Sequence, residues 1–314
     1  MTLTELKYIV AVARERHFGR AADACFVSQP TLSVAIRKLE DELGVQVFER
    51  SSSEVSVTPI GEQIVEQAQR VLEQAGAIRE IAKQGKDPLD GPLKVGVIYT
   101  IGPYLLPSLV KVMIEDTPQM PMLLQENFTV KLLELLRQGE IDVAILAEPF
   151  NAQGLVSQPL YDEPFVLAVP AGHALASRKS VSTRQLKTET MLLLGAGHCF
   201  RDQVLEVCPE HSRFSQTSAG IQKTFEGSSL ETIRHMVASG IGITVLPWLA
   251  VPPQRKDALL RYIPFESPAP ARRVAIAWRK SYSRSLAIRK LREAVLSLRL
   301  DGVTMLPREE AVPH

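Results

Sequence analysis

Three features are scarce in this sequence, and each scarcity excludes a class of protein. Only 3 cysteines occur in 314 residues, too few for the disulfide framework of a secreted scaffold. The net charge is +1, so no global field draws the chain to nucleic acid or membrane. No uncharged apolar run reaches the roughly 18 residues that a membrane span needs. The sequence therefore predicts a cytoplasmic protein without a membrane partner, which binds any nucleic acid through local features.

What is present indicates a folded protein of more than one domain. Hydrophobic residues make up 45% and charged residues 23% of the chain, which is ordinary for globular proteins. The length suits two or three compact units. From the patterns described below, we expect a domain at residues 1–58, a linker helix and hinge at 59–87, and a larger domain at 88–314.

The first 58 residues have the pattern of a winged helix-turn-helix domain. Two predicted helices precede VSQP, where Ser28 suits an N-cap and Pro30 the first turn of a third helix, PTLSVAIRKLEDELG. The runs VQVFER and EVSVTP predict a two-stranded wing. Cys25 is expected to be inert in a packed helix beside Phe26. Side chains that can reach DNA lie on the third helix and the wing: Gln29, Thr31, Ser33, Arg37, Lys38 and Arg50.

Charge alone does not establish DNA binding, because basic residues do not outnumber acidic ones in this domain. The same residues could also form an ordinary helical bundle that binds no DNA. However, AADACFVSQPTLSVAIRKLEDELGVQVFER (21–50) closely resembles the N-terminal domain of LysR-type transcriptional regulators. The resemblance implies that the protein forms a homodimer or homotetramer. It also implies double-stranded promoter DNA and RNA polymerase as partners. It also implies that four positions face the operator: Gln29, Pro30, Ser33 and Arg37. Val34 and Ala35 depart from the family, where polar or basic residues are usual.

Residues 58–86 predict one long helix with an apolar seam. The seam has the spacing of a heptad repeat and consists of Ile64, Ala68, Val71, Ala75, Ile78 and Ala82. Such a helix can simply pack on its own domain. Because nothing else in the N-terminal segment looks large enough to cover the seam, we expect it to pair with the same helix of a second chain.

From Leu93 onward, strands alternate with helices, and MLLLG (191–195) is expected to be a buried strand. This pattern predicts an α/β fold with mainly parallel sheets, in two lobes because of its length. The family resemblance implies a periplasmic-binding-protein-like effector domain, with lobe I at about 88–161 and 268–302 and lobe II at about 162–267. Open α/β sheets bind ligands at the carboxyl ends of strands. Thr100 and Thr129 lie at such ends, either as helix caps or as ligand-binding hydroxyls.

Two of the three cysteines lie nine residues apart in GAGHCFRDQVLEVC (195–208). The predicted helix FRDQVLEV puts Cys199 at a helix N-terminus beside His198, where the helix dipole and an imidazolium both favour thiolate. Peroxide oxidises a thiolate to sulfenic acid, which a second thiol such as Cys208 converts to a disulfide. Other readings stay open: a zinc site with His198 and His211, inert cysteines in a regulator of small organic effectors, or a thiol peroxidase.

GHCFRDQ with its second cysteine, together with SSLETIRHMVASGIGITVLP (228–247), resembles the hydrogen-peroxide-sensing branch of the LysR family. The resemblance implies that Cys199 is the peroxidatic cysteine and Cys208 the resolving one. It implies a regulator and no enzyme, with neither cofactor nor metal. It further implies a peroxide pocket formed by Thr100, Thr129, His198, Asp202 and an arginine, for which Arg272 aligns better than Arg273. Residues 209–225 depart most from that branch.

The nine-residue spacing itself predicts a switch. Residues nine apart in an α-helix are separated by about 13 Å along the axis, whereas bridged cysteines need Cα atoms within roughly 7 Å. We therefore expect helix between Cys199 and Cys208 in the reduced protein. Forming the disulfide must unwind that helix.

Overall fold

The computed structural model describes residues 1–50, 55–84, 89–209, 229–252 and 258–306. The wing residues 51–54, His211 and nearly all of the divergent segment 209–225 lie outside these ranges. Contacts divide the chain into one unit of residues 1–88 and a second that comprises most of residues 89–314. Within the ranges described, no helix has the length and apolar character to cross a membrane.

The first unit is a winged helix-turn-helix. Its elements are α1 (Leu3–Glu15), α2 (Phe18–Ala24), α3 (Gln29–Leu43), β1 (Phe48–Arg50), β2 (Val55–Val57) and α4 (Pro59–Gln84). Ser28 caps α3 by accepting a hydrogen bond from the Thr31 amide, and Gly44 ends the helix in the left-handed conformation. Strands β1 and β2 pair antiparallel, as expected of a wing. The caps therefore confirm the predicted limits of the recognition helix.

The turn between α2 and α3 differs from the prediction. Helix α2 ends at Ala24, so that Cys25 is its C-cap and not part of a packed helix. Phe26 is 96% exposed with φ of 57°, a left-handed conformation forced by the tight turn. Cys25 itself is partly buried against the core of this unit, and burial raises the pKa of its thiol. Its expected inertness is thus consistent with its surroundings, although the packing is different.

Helix α4 uses part of its seam within its own unit. Ile64 and Ala68 pack on the core formed by α1, α2 and α3, and α1 is the element that contacts α4 most extensively. The expectation that nothing in this segment could cover the seam was therefore wrong for its first half. Val71 and Ile78 are exposed and remain available to a second chain.

The second unit alternates strands and helices around one long strand. Its elements are β3 (Leu93–Ile98), α5 (Gly102–Asp116), β4 (Met122–Asn127), α6 (Thr129–Arg137), β5 (Val143–Ala147), β6 (Leu155–Pro170), α7 (Cys199–Val207), α8 (Leu230–Ala238), β7 (Thr244–Pro247), β8 (Leu260–Pro264), β9 (Ala271–Arg279), α9 (Ser285–Ser297) and β10 (Thr304–Met305). A short 3₁₀ helix, Trp248–Ala250, follows β7.

Strand β6 belongs to both lobes. Residues 155–164 pair with β9 in a sheet of order β10-β6-β9-β5-β3-β4, and residues 165–170 pair with β7 and β8 in the second lobe. The lobe limits predict that the chain crosses between the lobes near residues 161 and 267. Both positions lie close to the point where β6 changes partners. A separate core of the second lobe surrounds Phe165, Phe200 and Val245.

The expectation of mainly parallel sheets was wrong. Strand β3 is parallel to β4 and β5, but β9 runs antiparallel to β5 and β6, and β7 and β8 run antiparallel to β6. The reason is topological: β6 carries the chain out of the first lobe and β9 brings it back, so the two lie side by side in opposite directions.

Residues 191–195 are buried except for the partly buried Leu193, but they do not form the predicted strand. Met191 makes one isolated bridge with Ile243. The Leu192 amide donates to the Ile243 carbonyl at 2.8 Å, whereas the Leu192 carbonyl accepts from the Thr244 hydroxyl at 2.8 Å. A side chain thus replaces the next ladder bond, which ends the pairing after one residue.

Candidate functional site

A small cavity lies where β3 and β4 end and α6 and α7 begin. It is lined by Ile98, Tyr99, Thr100, Asn127, Phe128, Thr129, Gly197, His198 and Cys199. About 10 Å³ is open to the centre of a water-sized molecule, which is close to the minimum for one bound water. The structure therefore brings three of the residues expected to form the pocket, Thr100, Thr129 and His198, together with Cys199.

Cys199 is the first residue of α7 and is partly buried. The turn before it depends on Gly197, whose φ is +94° and where a Cβ would lie 3.4 Å from the Phe128 ring. His198 is the N-cap and makes no capping hydrogen bond with its side chain. The positive end of the α7 dipole therefore acts at Cys199, and Thr129 places the N-terminus of α6 at the same cavity.

The His198 ring is enclosed by aromatic side chains. It meets Phe128 edge to face with centroids 4.8 Å apart and lies 5.9 Å from the Tyr99 ring. Burial lowers the pKa of His198, so the ring is neutral near neutral pH. The expectation of an imidazolium beside Cys199 was therefore wrong, because the aromatic wall removes the water that a charged ring needs. A neutral ring can still donate or accept one hydrogen bond at each nitrogen.

Thr129 does not act as a helix cap. It is already inside α6, and the N-cap Phe128 makes no capping bond. Its hydroxyl oxygen is buried and has no hydrogen-bond partner among the described residues. Buried hydroxyls are seldom left in this state. The geometry thus favours the other reading of Thr129, that of a hydroxyl offered to a ligand in the cavity.

The two neighbouring arginines have different surroundings. Arg272 is buried and donates from Nη1 to the Thr100 hydroxyl at 2.8 Å and from Nη2 to the Thr100 carbonyl at 2.9 Å. Its Nε donates to Glu163 at 2.8 Å, and its guanidinium carbon lies 5.2 Å from the centre of the Phe200 ring. Arg273 is half-exposed and pairs with Asp162. Only Arg272 of the two reaches the cavity wall.

Asp202 lies apart from the cavity. It is exposed in the first turn of α7 and is not among the lining residues. Its backbone position, three residues into the helix, turns the side chain outward. A carboxylate there complements the positive end of the helix, which accounts for it without a ligand.

Cys208 ends the same helix that Cys199 begins. It is the C-cap of α7 and is 1% exposed in the core of the second lobe, with Phe200 and Val204. No disulfide joins the two cysteines, and a helix of this length separates its ends by about 13 Å. The predicted helix between them is confirmed. Within the described ranges, no three His, Cys, Asp or Glu side chains gather closely enough to hold a metal.

The residues expected to reach DNA lie mostly on one exposed stretch of the first unit. The side chains of α3 that are exposed there are Gln29, Pro30, Thr31, Arg37 and Lys38, and Ser33 is partly exposed. The Thr31 hydroxyl shares a hydrogen bond with Ser28 at 2.8 Å. Arg50 ends β1, and its side chain is outside the described part of the structure.

Four residues of the site were not predicted from the sequence: Tyr99 and Phe128 line the cavity, and Glu163 and Phe200 lie behind it at Arg272. Tyr99 and Phe128 each adjoin a predicted threonine, so their neighbours in the chain could have indicated them. Glu163 and Phe200 contact Arg272 from distant parts of the chain, and Glu163 is separated from Arg272 by 109 positions. No local pattern predicts that pairing.

A recognition helix with a wing, followed by a two-lobed α/β domain with a small cavity, defines a transcriptional regulator with an effector domain. Residues 3–62 match the bacterial regulatory helix-turn-helix protein family of lysR type, and residues 86–299 match the LysR substrate binding domain family. The chain belongs to the LysR family of transcriptional regulators.

Within that family, OxyR proteins are among its relatives. The DNA-binding transcriptional dual regulator OxyR of Escherichia coli K12 is 42% identical over 302 residues, covering 96% of this chain and 97% of the relative. A full-length Pseudomonas aeruginosa OxyR, with a cysteine replaced by aspartate, is 51% identical with a TM-score of 0.79, covering 98% and 99%. The oxidised form of Corynebacterium glutamicum OxyR is 35% identical with a TM-score of 0.56, covering 94% and 91%.

Proposed function

We propose that this protein is a DNA-binding transcriptional regulator that senses hydrogen peroxide through Cys199. The observation that carries the proposal is the small cavity at which Cys199, Thr100 and Thr129 meet. Three kinds of group needed for the chemistry converge there: a thiol, hydroxyls that can bind peroxide oxygens, and two helix N-termini that stabilise negative charge. The names of the OxyR relatives, among them hydrogen peroxide-inducible genes activators, support the same function.

The proposed chemistry proceeds in two steps. The Cys199 thiolate attacks one peroxide oxygen, so that an S–O bond forms, the O–O bond breaks, and hydroxide leaves and takes up a proton to become water. Sulfur is thereby oxidised to sulfenic acid. The Cys208 thiolate then attacks that sulfur, an S–S bond forms, and the sulfenic oxygen leaves as a second water. Two thiols and one peroxide thus give one disulfide and two waters.

The size of the cavity favours peroxide over an organic effector. Sites for small organic ligands are typically several hundred Å³, whereas this one accepts about one water-sized molecule. The occupant must therefore be very small and able to form hydrogen bonds with hydroxyls. Peroxide meets both conditions, and its reaction with Cys199 leaves a covalent change in the protein that thiols can reverse.

The disulfide cannot form on the intact helix α7. Because Cys208 lies in the core and at the far end of α7, closing the bond must unwind the helix and withdraw Cys208 from its packing. The changed lobe surface then alters how subunits associate and how the recognition helices are presented to promoter DNA. We infer a homodimer or homotetramer in the cytoplasm, with RNA polymerase as a further partner and with no catalytic turnover.

One experiment separates the proposal from its rivals. The purified protein is treated with stoichiometric peroxide, its thiols are mapped by mass spectrometry, and its footprint on a selected operator is compared before and after. A Cys199–Cys208 disulfide that appears together with a changed footprint supports the sensor. Continuous peroxide consumption without DNA binding indicates a peroxidase, and a footprint that changes only with an organic compound indicates an ordinary effector-binding regulator.

Thr129→Val should slow the oxidation of Cys199 without unfolding the lobe. Valine keeps the shape of threonine but removes the buried hydroxyl, and the loss of one hydrogen bond is expected to lower the second-order rate with peroxide by about tenfold. Thr117→Val is the matched control, since the Thr117 hydroxyl is also buried but donates to the Met113 carbonyl, away from the cavity. Equal rates for Thr129→Val and the parent would remove Thr129 from the peroxide site.

Arg37→Ala should weaken binding to an operator obtained by in vitro selection. The side chain is exposed on α3, and loss of one arginine contact to a base edge costs about 1–3 kcal/mol. Lys7→Ala removes the same charge from an exposed position on α1 and should leave affinity nearly unchanged. Similar losses for both variants would mean that only overall charge matters and would contradict the assignment of α3 as the recognition helix.

A further inference from the structure

A buried carboxylate, that of Glu163, lies behind the cavity. Glu163 is 0% exposed on β6, and both of its oxygens are engaged. Oε2 accepts from the Arg272 Nε at 2.8 Å, and Oε1 accepts from the Leu249 backbone amide at 2.8 Å. These bonds join the middle of β6 to β9 and to the 3₁₀ helix of the second lobe. The carboxylate is therefore held at two points and cannot turn.

Glu163 in turn fixes the guanidinium of Arg272. The two are paired at 2.8 Å, and the Phe200 ring covers one face of the guanidinium at 5.2 Å. Nε and Nη2 both lie 2.8 Å from the Glu163 Oε2, and the outer edge of the guanidinium is aimed at Thr100, where Nη1 reaches the hydroxyl and Nη2 the carbonyl. Since a guanidinium has a fixed fork of donors, one bond orients the others.

The direction of these bonds determines what Thr100 offers to the cavity. A guanidinium only donates hydrogen bonds, so the Thr100 hydroxyl must accept from Arg272. Thr100 lines the cavity, so the hydrogen of its hydroxyl can be donated to a molecule bound there. A hydroxyl that could otherwise rotate is thereby set as a donor. A donor there stabilises the negative charge that develops on the departing peroxide oxygen.

We propose that Glu163 is a positioning residue of the peroxide site, which holds Arg272 so that the Thr100 hydroxyl donates a hydrogen bond into the cavity beside Cys199. The inference rests on the proposed peroxide chemistry of Cys199 and adds a specific residue to it. Glu163 touches neither the cavity nor the sulfur and acts only through Arg272 and Thr100.

The test compares two reactions of Cys199 in the full-length protein carrying Cys208→Ser. The first is sulfenic acid formation with hydrogen peroxide, trapped and measured on the Cys199 peptide by mass spectrometry. The second is alkylation of Cys199 by iodoacetamide, which needs a reactive thiolate but no oriented donor. A change in thiolate content shifts both rates together, whereas a lost donor slows only the peroxide reaction.

Glu163→Gln is expected to lower the peroxide rate by about tenfold or more and to leave the alkylation rate nearly unchanged. Glutamine keeps the shape, but its amide nitrogen cannot accept, so either the Arg272 or the Leu249 bond is lost. Asp162→Asn is the matched control: it removes a carboxylate one position away, which pairs with the exposed Arg273, and it should change neither rate. Equal peroxide rates for Glu163→Gln and the parent would overturn the inference.

A second variant covers the case in which Glu163→Gln fails to fold, because an unpaired buried charge is strongly destabilising. Glu163→Gln combined with Arg272→Gln removes both charges. If Glu163 acts through Arg272 on Thr100, the double variant also oxidises about tenfold more slowly than the parent and is alkylated at nearly the parent rate. A double variant that oxidises at the parent rate contradicts the inference. If the proposed peroxide sensing by Cys199 is itself wrong, the result is different. The parent protein then reacts with peroxide no faster than a simple thiol.

Discussion

Cys199→Ser is expected to abolish the response of this protein to peroxide, so that its footprint on operator DNA is the same with and without the oxidant. A serine hydroxyl is not oxidised by peroxide, and no sulfenic acid can form at the cavity. Cys208 cannot substitute for it, because that sulfur is 1% exposed in the core of the lobe. The measurement is footprinting on a selected operator over a range of peroxide concentrations.

Cys25→Ser is the control for that experiment. Cys25 lies in the first unit as the C-cap of α2, and burial raises the pKa of its thiol, which keeps it in the unreactive form. This variant should respond like the parent. A footprint that still changes with peroxide in Cys199→Ser, or that no longer changes in Cys25→Ser, would place the sensing thiol elsewhere.

Phe200→Ala should make the disulfide form more readily and harder to reduce. Phe200 is 2% exposed, packs edge to face on Phe165 at 5.1 Å and lies against the Arg272 guanidinium. Truncating such a residue destabilises a fold by about 3–5 kcal/mol. In the proposed mechanism the oxidised protein has unwound α7, so this loss falls on the reduced form alone and the equilibrium shifts toward the disulfide.

The expected shift is large enough to measure. At about 30 mV per 1.4 kcal/mol for a two-electron couple, the reduction potential should become more negative by roughly 60–100 mV. The potential is read from the fraction of Cys199–Cys208 disulfide in thiol buffers of known ratio. Phe265→Ala, in the same core but outside α7, should lower stability without moving the potential. Equal shifts for both variants would show that oxidation loosens the whole lobe and not α7 in particular.

Much of the site could be predicted because local signals determine it. Ser28 and Gly44 set the limits of the recognition helix through caps that depend on a few neighbouring residues. Thr100 and Thr129 could be placed at one edge because strands that alternate with helices bring their ends together. The glycines before Cys199 and the helical pattern after it likewise place that cysteine at a helix N-terminus.

The remainder depends on contacts between distant parts of the chain. Asp162, Glu163 and Pro164 look like a break in the sequence, yet they lie inside β6, where the strand passes from β9 to the second lobe. The charge of Glu163 is satisfied by Arg272 across the sheet, which local periodicity cannot reveal. The neutral state of His198 likewise follows from enclosure by Tyr99 and Phe128 and not from its neighbours in sequence.

Hydrogen exchange of the α7 backbone amides shows whether oxidation unwinds this helix. The exchange of peptides covering residues 200–207 is compared between the reduced protein and the Cys199–Cys208 disulfide, with peroxide-treated Cys208→Ser as the control. We predict strong protection in the reduced protein, its loss in the disulfide form and its retention in Cys208→Ser. Unchanged protection of residues 200–207 in protein whose disulfide has been verified by mass spectrometry would contradict the account.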